Sequence, residues 1–436
     1  MEDRRVHQYD VRHRHESRDS RHNLGPPVGA QLAKLEVFSR FANQDLFTIA
    51  DVTKLDSQTV IGRCRELASI SDMEGGTFRP FLSPATKRCH DLVARWMKEA
   101  GMSVRTDAVG NLRGLLTGPA SQRVFLMGSH LDTVRNAGAF DGILGVILAI
   151  AMVENLHRPL PFDVEVIAFS EEEGVRFNLP FIGSRALVGT LDQAAINLIT
   201  PALRDFGLDP AGIPDAKLTA PCLGYLEFHI EQGPVLDHAN EPVALVEAIV
   251  GQIRALATFS GTANHAGTTP MSLRQDALTA AARWIVQVEE IARSAPCLVA
   301  TVGKLEVQPN ISNVIPAVVT ASLDVRHPDD LSRQQAFERC RQAAGNAAWT
   351  NPVSVRTIPM DVDLTCKLES ACPKGTRRMI SGAGHDAMIL APHIPSAMLF
   401  LRSPGGVSHH PAETVLPEDV DLALSIGQRF LESLTI

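Results

Sequence analysis

Two short apolar runs, "VFLMGS" (124–129) and "VEVIAFS" (164–170), flank the long apolar segment "GILGVILAIAMVENLH" (142–157), and each ends in ionisable residues, "HLD" and "EEEG". Near-continuous apolar runs of strand length joined by a segment of helix length predict parallel strands covered on both faces. Ligands of such sheets gather outside the carboxyl ends of the strands. The ionisable clusters fall at those ends.

Other stretches extend this pattern. "AKLEVFSRFANQ" (33–44) and "TKRCHDLVARWMKEAGMSV" (86–104) have helical spacing, the second stopping at Gly101. From "VEAIVGQIRALATFSGTANHAG" (246–267) the periodicity is that of a strand. It is followed by a helix (276–295), strands (297–307 and 317–327), a helix (331–348) and a strand (353–359). This is the order of a ferredoxin-like α+β unit. "KGTRRMISGAGHDAMIL" (374–390) then resumes the first pattern. The chain is expected to be α/β. A mostly parallel-sheet catalytic domain (28–250 and 364–436) would carry an inserted ferredoxin-like domain (251–363), after a disordered tail (1–27). That tail mixes Arg, His and acidic residues and has too little apolar surface to offset the entropy of ordering. His13, His15 and His22 there are candidate chelators, with an ordinary solvated tail as the alternative.

At 436 residues and 45% hydrophobic the chain can bury a large core, and its formal net charge of −8 disfavours nonspecific nucleic-acid or anionic-membrane binding. Neither nucleic acid nor membrane is expected as a partner. Seven scattered cysteines without a CxxC spacing suggest neither a disulfide framework nor a thiolate zinc site. Reduced thiols and the lack of a secretory-type apolar leader fit the cytoplasm.

An imidazole and carboxylates collected at strand ends stay unsatisfied unless something cationic joins them. His130 can ligate a divalent metal through one ring nitrogen while Asp132 receives the other N–H. Asp141, at the mouth of the next helix, can bridge two metals. The alternative is that Asp141 caps that helix and His130 is a core histidine. Glu171, Glu172 and Glu173 are either a metal-binding cluster or a solvated acidic turn. His229 beside Glu231 and Gln232, and the pair His409–His410 in "GGVSHHPAE", add further ligand types.

The ordered series "GSHLDTV", "GAFDGILGV", "EEEGVRF", "FHIEQGPVL", "HAGTTPMSLRQDAL", "NISNVIP", "LDVRH", "SGAGHDA" and "SHHPAE" resembles the amidase branch of the zinc-dependent M20 hydrolases, from about residue 30 to the C-terminus. That branch hydrolyses ureido or amide C–N bonds in small carboxylates such as allantoate and N-carbamoyl-L-amino acids. The resemblance implies a di-metal catalytic domain, a lid and dimerisation domain at the insertion, a homodimer, and two divalent ions per subunit, zinc or manganese. It matches His130, Asp141, Glu173, His229 and His409 to the metal ligands, with Asp141 bridging. Glu172 matches the catalytic carboxylate, in a register anchored on Gly174, Arg176 and Phe177.

Urea-like bonds have a poor electrophile and a poor leaving group, so a metal must activate water and polarise the carbonyl. Glu172 then moves a proton from water to the departing nitrogen. Arg326 suits a substrate carboxylate, with a surface ion pair as its alternative. By resemblance His265 reaches a partner subunit's site, Asn313 and Gln232 contact the substrate, and Gly384, His385 and Asp386 form a pocket wall. An M20 aminoacylase or dipeptidase, or a noncatalytic binding protein of this fold, are the competing functions.

Overall fold

The structure, a computed structural model, describes residues 55–119 and 123–435. The tail over 1–27, its His13, His15 and His22, and the helix expected over 33–44 lie outside the described residues.

The centre of the larger sheet is parallel: β1 (Val124–His130), β2 (Asp163–Phe169), β3 (Cys222–Ile230) and β4 (Ser396–Leu401) lie side by side in the order β2-β1-β3-β4. Every residue of β1 is buried. The helix Ile143–Glu154 packs against this centre and is buried from Ile143 to Val153. Its lack of a polar face is what enclosure requires.

Beside this parallel centre the sheet also carries antiparallel pairings, which the sequence does not predict. Antiparallel pairings join Ser103–Thr106 to Leu112–Leu116, Leu112–Leu116 to β2, β4 to Val243–Ile249, and Val243–Ile249 to Ile358–Pro359. Arg377–Ser381 restores a parallel pairing on Val243–Ile249. Connection length explains the first of these pairings. Thr106 and Leu112 are joined by a tight turn in which the Asp107 carboxylate accepts from the amides of Val109 and Asn111. So short a connection returns the chain antiparallel, because a parallel return needs a long crossover.

The second sheet is antiparallel throughout. Gly251–Ser260 pairs along its length with Val318–His327, with Val299–Thr301 and Leu305–Gln308 outside the latter and Ala348–Trp349 and Val353–Val355 outside the former. The helices Ala277–Arg293 and Asp330–Ala343 cover one face around Phe259, Trp284 and Phe337. The strand and helix order is the expected one, with two outer strands each broken in two. The chain rejoins the larger sheet at Ile358, ahead of the expected boundary at residue 363. Beside the helix-free face lies a cleft of about 1170 Å³, lined in part by Leu256, Asp324, Arg326, Arg378, Ile380 and Gly382. All seven cysteines are free. Among the described residues no helix is long and apolar enough to cross a membrane.

Candidate metal centre

All four central strands deliver residues at or beyond their carboxyl ends to one place. His130 closes β1 and His229 lies one residue before the end of β3, with ring centroids 5.8 Å apart and nearly stacked. Asp141 reaches across both: its Oδ1 is 3.3 Å from His229 Nε2 and 3.9 Å from His130 Nε2. Its Oδ2 is 3.1 Å from Nε2 of His409, which arrives on the loop after β4. From the segment after β2, Glu172 lies 3.8 Å from His130 Nε2 and Glu173 lies 3.7 Å from His409 Nε2. Three ligand groups result: His130 with Asp141 and His229; His130 with Glu172 and Glu173; and Asp141 with Glu173 and His409.

The backbone excludes the capping alternative for Asp141. Gly142 occupies the helix N-cap and no side chain caps it. With φ +67° and a site where a Cβ would stand 2.4 Å from the His130 ring, Gly142 is required for the helix to begin this close to the imidazole. The three consecutive glutamates also part company. Glu171, at φ +53°, folds back so that Oε1 accepts from the Arg176 amide at 2.9 Å, leaving Glu172 and Glu173 to face the histidines.

Asp132 departs from its expected contact. His130 Nδ1 faces the backbone carbonyl of Asp132 at 3.0 Å, and the nearer carboxylate oxygen is 3.8 Å away. That carboxylate instead accepts from the amides of Glu172 at 3.1 Å and Glu173 at 3.0 Å. Two amides of a buried turn need acceptors, and one carboxylate serves both. Asp132 thus orients the glutamate pair.

The charges call for a cation. Burial pushes Glu172 well above the usual carboxylate range and Glu173 up to about 7, the latter helped by Asp141. His229 is pushed down to about 4 by burial. Burial works against protonation of His130 too, but Glu172, Asp132 and Asp141 hold it well above the ordinary imidazole value. Among the described residues Asp141, Glu172 and Glu173 form ion pairs only with histidines. His229 Nε2 is buried without a hydrogen-bond partner, which suits a ligand atom awaiting a metal. This donor set of imidazole nitrogen and carboxylate oxygen fits divalent zinc or manganese.

The other expected site residues divide. Gln232, at φ +59°, joins the cluster by donating from Nε2 to Asp141 Oδ2 at 3.0 Å. His265 and Asn313 are neighbours on an exposed end of the second sheet unit, where the Ala266 amide donates to Asn313 O at 2.9 Å. Among the described residues no hydrogen bond or ion pair joins either to the cluster. Arg326 pairs with Asp324 through Nε at 3.0 Å and Nη2 at 2.9 Å, and its Nη1 donates to Gly382 O. Gly384, close to the Phe181 ring, is exposed, whereas the next residue, His385, packs its ring 4.4 Å from that of His229. Sequence reasoning overlooked Glu413, which sits beneath Asp141. It belongs to "SHHPAE", but an acid in a Gly-rich loop reads as solvated.

The sequence pattern of the peptidase family M20/M25/M40 matches residues 126–433. The chain belongs to this family. The allantoate deiminase 2 of Glycine max is 36% identical over 86% of this chain and 89% of its own. The N-carbamoyl-L-amino acid amidohydrolase of Geobacillus stearothermophilus is 39% identical over 82% of this chain and 93% of its own. A solved amidase of the hydantoinase/carbamoylase family from Burkholderia multivorans superposes with a TM-score of 0.78 at 30% identity, covering 87% of this chain and 98% of that one.

Proposed function

We propose that this M20 protein is a metal-dependent amidohydrolase cleaving a ureido or carbamoyl C–N bond in a small carboxylate, either allantoate or an N-carbamoyl-L-amino acid. The observation that carries the reading is the convergence of His130, Asp141, Glu173, His229 and His409, with Glu172 beside them. The named relatives support the substrate class. Identity to them, 36% against 39%, favours neither substrate.

Two divalent ions, zinc or manganese, held by those five side chains with Asp141 shared, would supply the polarisation of the carbonyl and the acidification of water that urea-like bonds need. Glu172 takes the proton from water and returns it to the leaving nitrogen. Asp132 keeps Glu172 and Glu173 oriented through their amides. His265 Nδ1 accepts from the amides of Gly267 at 3.1 Å and Thr268 at 3.2 Å, so the neutral ring carries its proton on Nε2. That exposed N–H suits donation to a substrate carbonyl oxygen in the partner's site of a homodimer. Arg326 binds the substrate carboxylate on leaving Gly382 O, Gln232 and Asn313 contact its amide groups, and Gly384 lines the wall. The second sheet and its two helices, from Gly251 to Val355, act as the lid and dimerisation domain. Seven free thiols support a cytoplasmic location.

The test is ammonia release from allantoate and N-carbamoyl amino acids, and amino-acid release from dipeptides, with zinc or manganese added. The reading expects turnover of one of the first two and none of dipeptides. Dipeptide cleavage would make the protein a peptidase, and full activity after exhaustive chelation would end the metal mechanism.

A further inference from the structure

We infer that Glu413 is a positioning residue for the bridging carboxylate, fixing the backbone that carries Asp141 and tying it to the loop that carries His409. The inference rests on the metal-centre reading above.

Glu413 is only 5% exposed. Its Oε1 accepts from the amides of both Phe140, at 2.8 Å, and Asp141, at 3.0 Å. Its Oε2 is 3.3 Å from Ser408 Oγ, and the same hydroxyl is 3.3 Å from Asp141 Oδ2. The Glu413 amide donates to His410 O at 3.0 Å, closing the turn that follows His409. One side chain therefore grips two ligand-bearing segments separated by 272 residues.

The Asp141 loop is closely packed at both of its glycines. A Cβ on Gly138 would stand 2.4 Å from Glu413, just as one on Gly142 would strike the His130 ring. The loop passes between an acid and an imidazole with a glycine at each close approach. Glu413 belongs to none of the ligand groups, and among the described residues it has no cationic partner in a salt bridge. One carboxylate oxygen accepts from both consecutive amides and the other takes the Ser408 hydroxyl, so the side chain spans the two segments through the placement of its oxygens. Asp132 grips the Glu172 and Glu173 amides in the same manner, so each of these two carboxylate-bearing turns is clamped by an acid from another part of the chain.

The test measures Mn²⁺ affinity by competition with a chromophoric chelator, alongside urea unfolding of the metal-free protein, for wild type, Glu413→Ala, Glu413→Gln and Ser408→Ala. Glu413→Ala is expected to weaken Mn²⁺ binding about 10–100-fold, Ser408→Ala by less, and Glu413→Gln, which keeps an oxygen for both amides, by no more than about threefold. Unfolding midpoints of the metal-free variants should not follow that order. Wild-type affinity in Glu413→Ala would overturn the inference, as would a Glu413→Gln as weak as the alanine variant. Should Glu413→Ala fail to fold, wild-type affinity in Ser408→Ala is the overturning result. A wild-type chain that binds no Mn²⁺ or Zn²⁺ would instead overturn the metal-centre reading beneath it.

Discussion

Glu172 and Glu173 are adjacent and share one clamp, yet the proposed function gives them different tasks: among the described residues Glu173 pairs with His409, whereas Glu172 pairs only with His130. Replacing Glu172 by Gln removes the proposed proton carrier and keeps the size. Turnover should fall by about 10²–10⁴-fold with metal content unchanged. Steady-state kinetics beside elemental analysis would check this, and undiminished kcat would move the proton transfer elsewhere. His90 offers a residue-scale test away from the cluster. It is buried in the helix Pro84–Glu99 with its ring edge-on to Phe206, and burial, helped by Arg79, pushes its pKa down to about 4. The unfolded chain binds a proton near pH 6.5 that the folded chain refuses. The contribution of neutral His90 is therefore complete above pH 6.5 and is lost as pH falls toward 4, by about 3 kcal/mol. Urea unfolding at pH 7 and pH 4.5 should show a smaller acid loss for His90→Gln than for wild type, and an equal loss would refute the assignment.

At the scale of elements, the carboxyl ends of β1 and β2 were legible because apolar runs stopping at His130 and at the glutamates conflict with burial unless chemistry resolves the conflict. The βαββαβ order of the smaller unit was legible from periodicity. The antiparallel flanks of the larger sheet were not, since strand direction depends on connection geometry, such as the Asp107 turn, that hydropathy does not record. Nor were the clamps. Asp132 stood in the right motif but its carboxylate turns to amides 40 and 41 residues away, and Glu413 reaches one 272 residues away. No local pattern encodes such partners. Gly142 joins element to site, because the start of the helix Ile143–Glu154 is set by the room left beside His130. Gly142→Ala places a side chain at φ +67° against that ring. It should cost about 1–3 kcal/mol in backbone strain and weaken metal binding about 10–100-fold through displaced His130 and Asp141. Unfolding of the metal-free variant and chelator competition would separate the two effects, and unaltered metal affinity would show that the helix start can move without disturbing the ligands.

At the scale of the molecule, the chain passes between the sheets twice, at Ile249–Gly251 and at Val355–Ile358, and both passages are tied to one buried arginine. The Gly251 amide donates to Thr357 Oγ1 at 2.9 Å and the Thr357 amide to Asp330 Oδ1 at 3.0 Å. Arg333 pairs with Asp330 at 2.9 Å and donates to His327 O at 3.1 Å. Nearby, Arg326 in the cleft lining donates from Nη1 to Gly382 O, an uncharged acceptor that a substrate carboxylate would outbid because its bond to a guanidinium is charge-assisted. Ligand binding is then expected to release one tie and draw the units together. The radius of gyration from solution scattering should fall when a nonhydrolysable ureido carboxylate is added to the metal-loaded protein. Arg326→Lys keeps the charge but loses the fork, so it should raise KM by about tenfold or more and reduce or abolish that compaction. A radius unchanged by the analogue in wild type would remove closure from the mechanism. A normal KM in Arg326→Lys would free the carboxylate to be bound elsewhere.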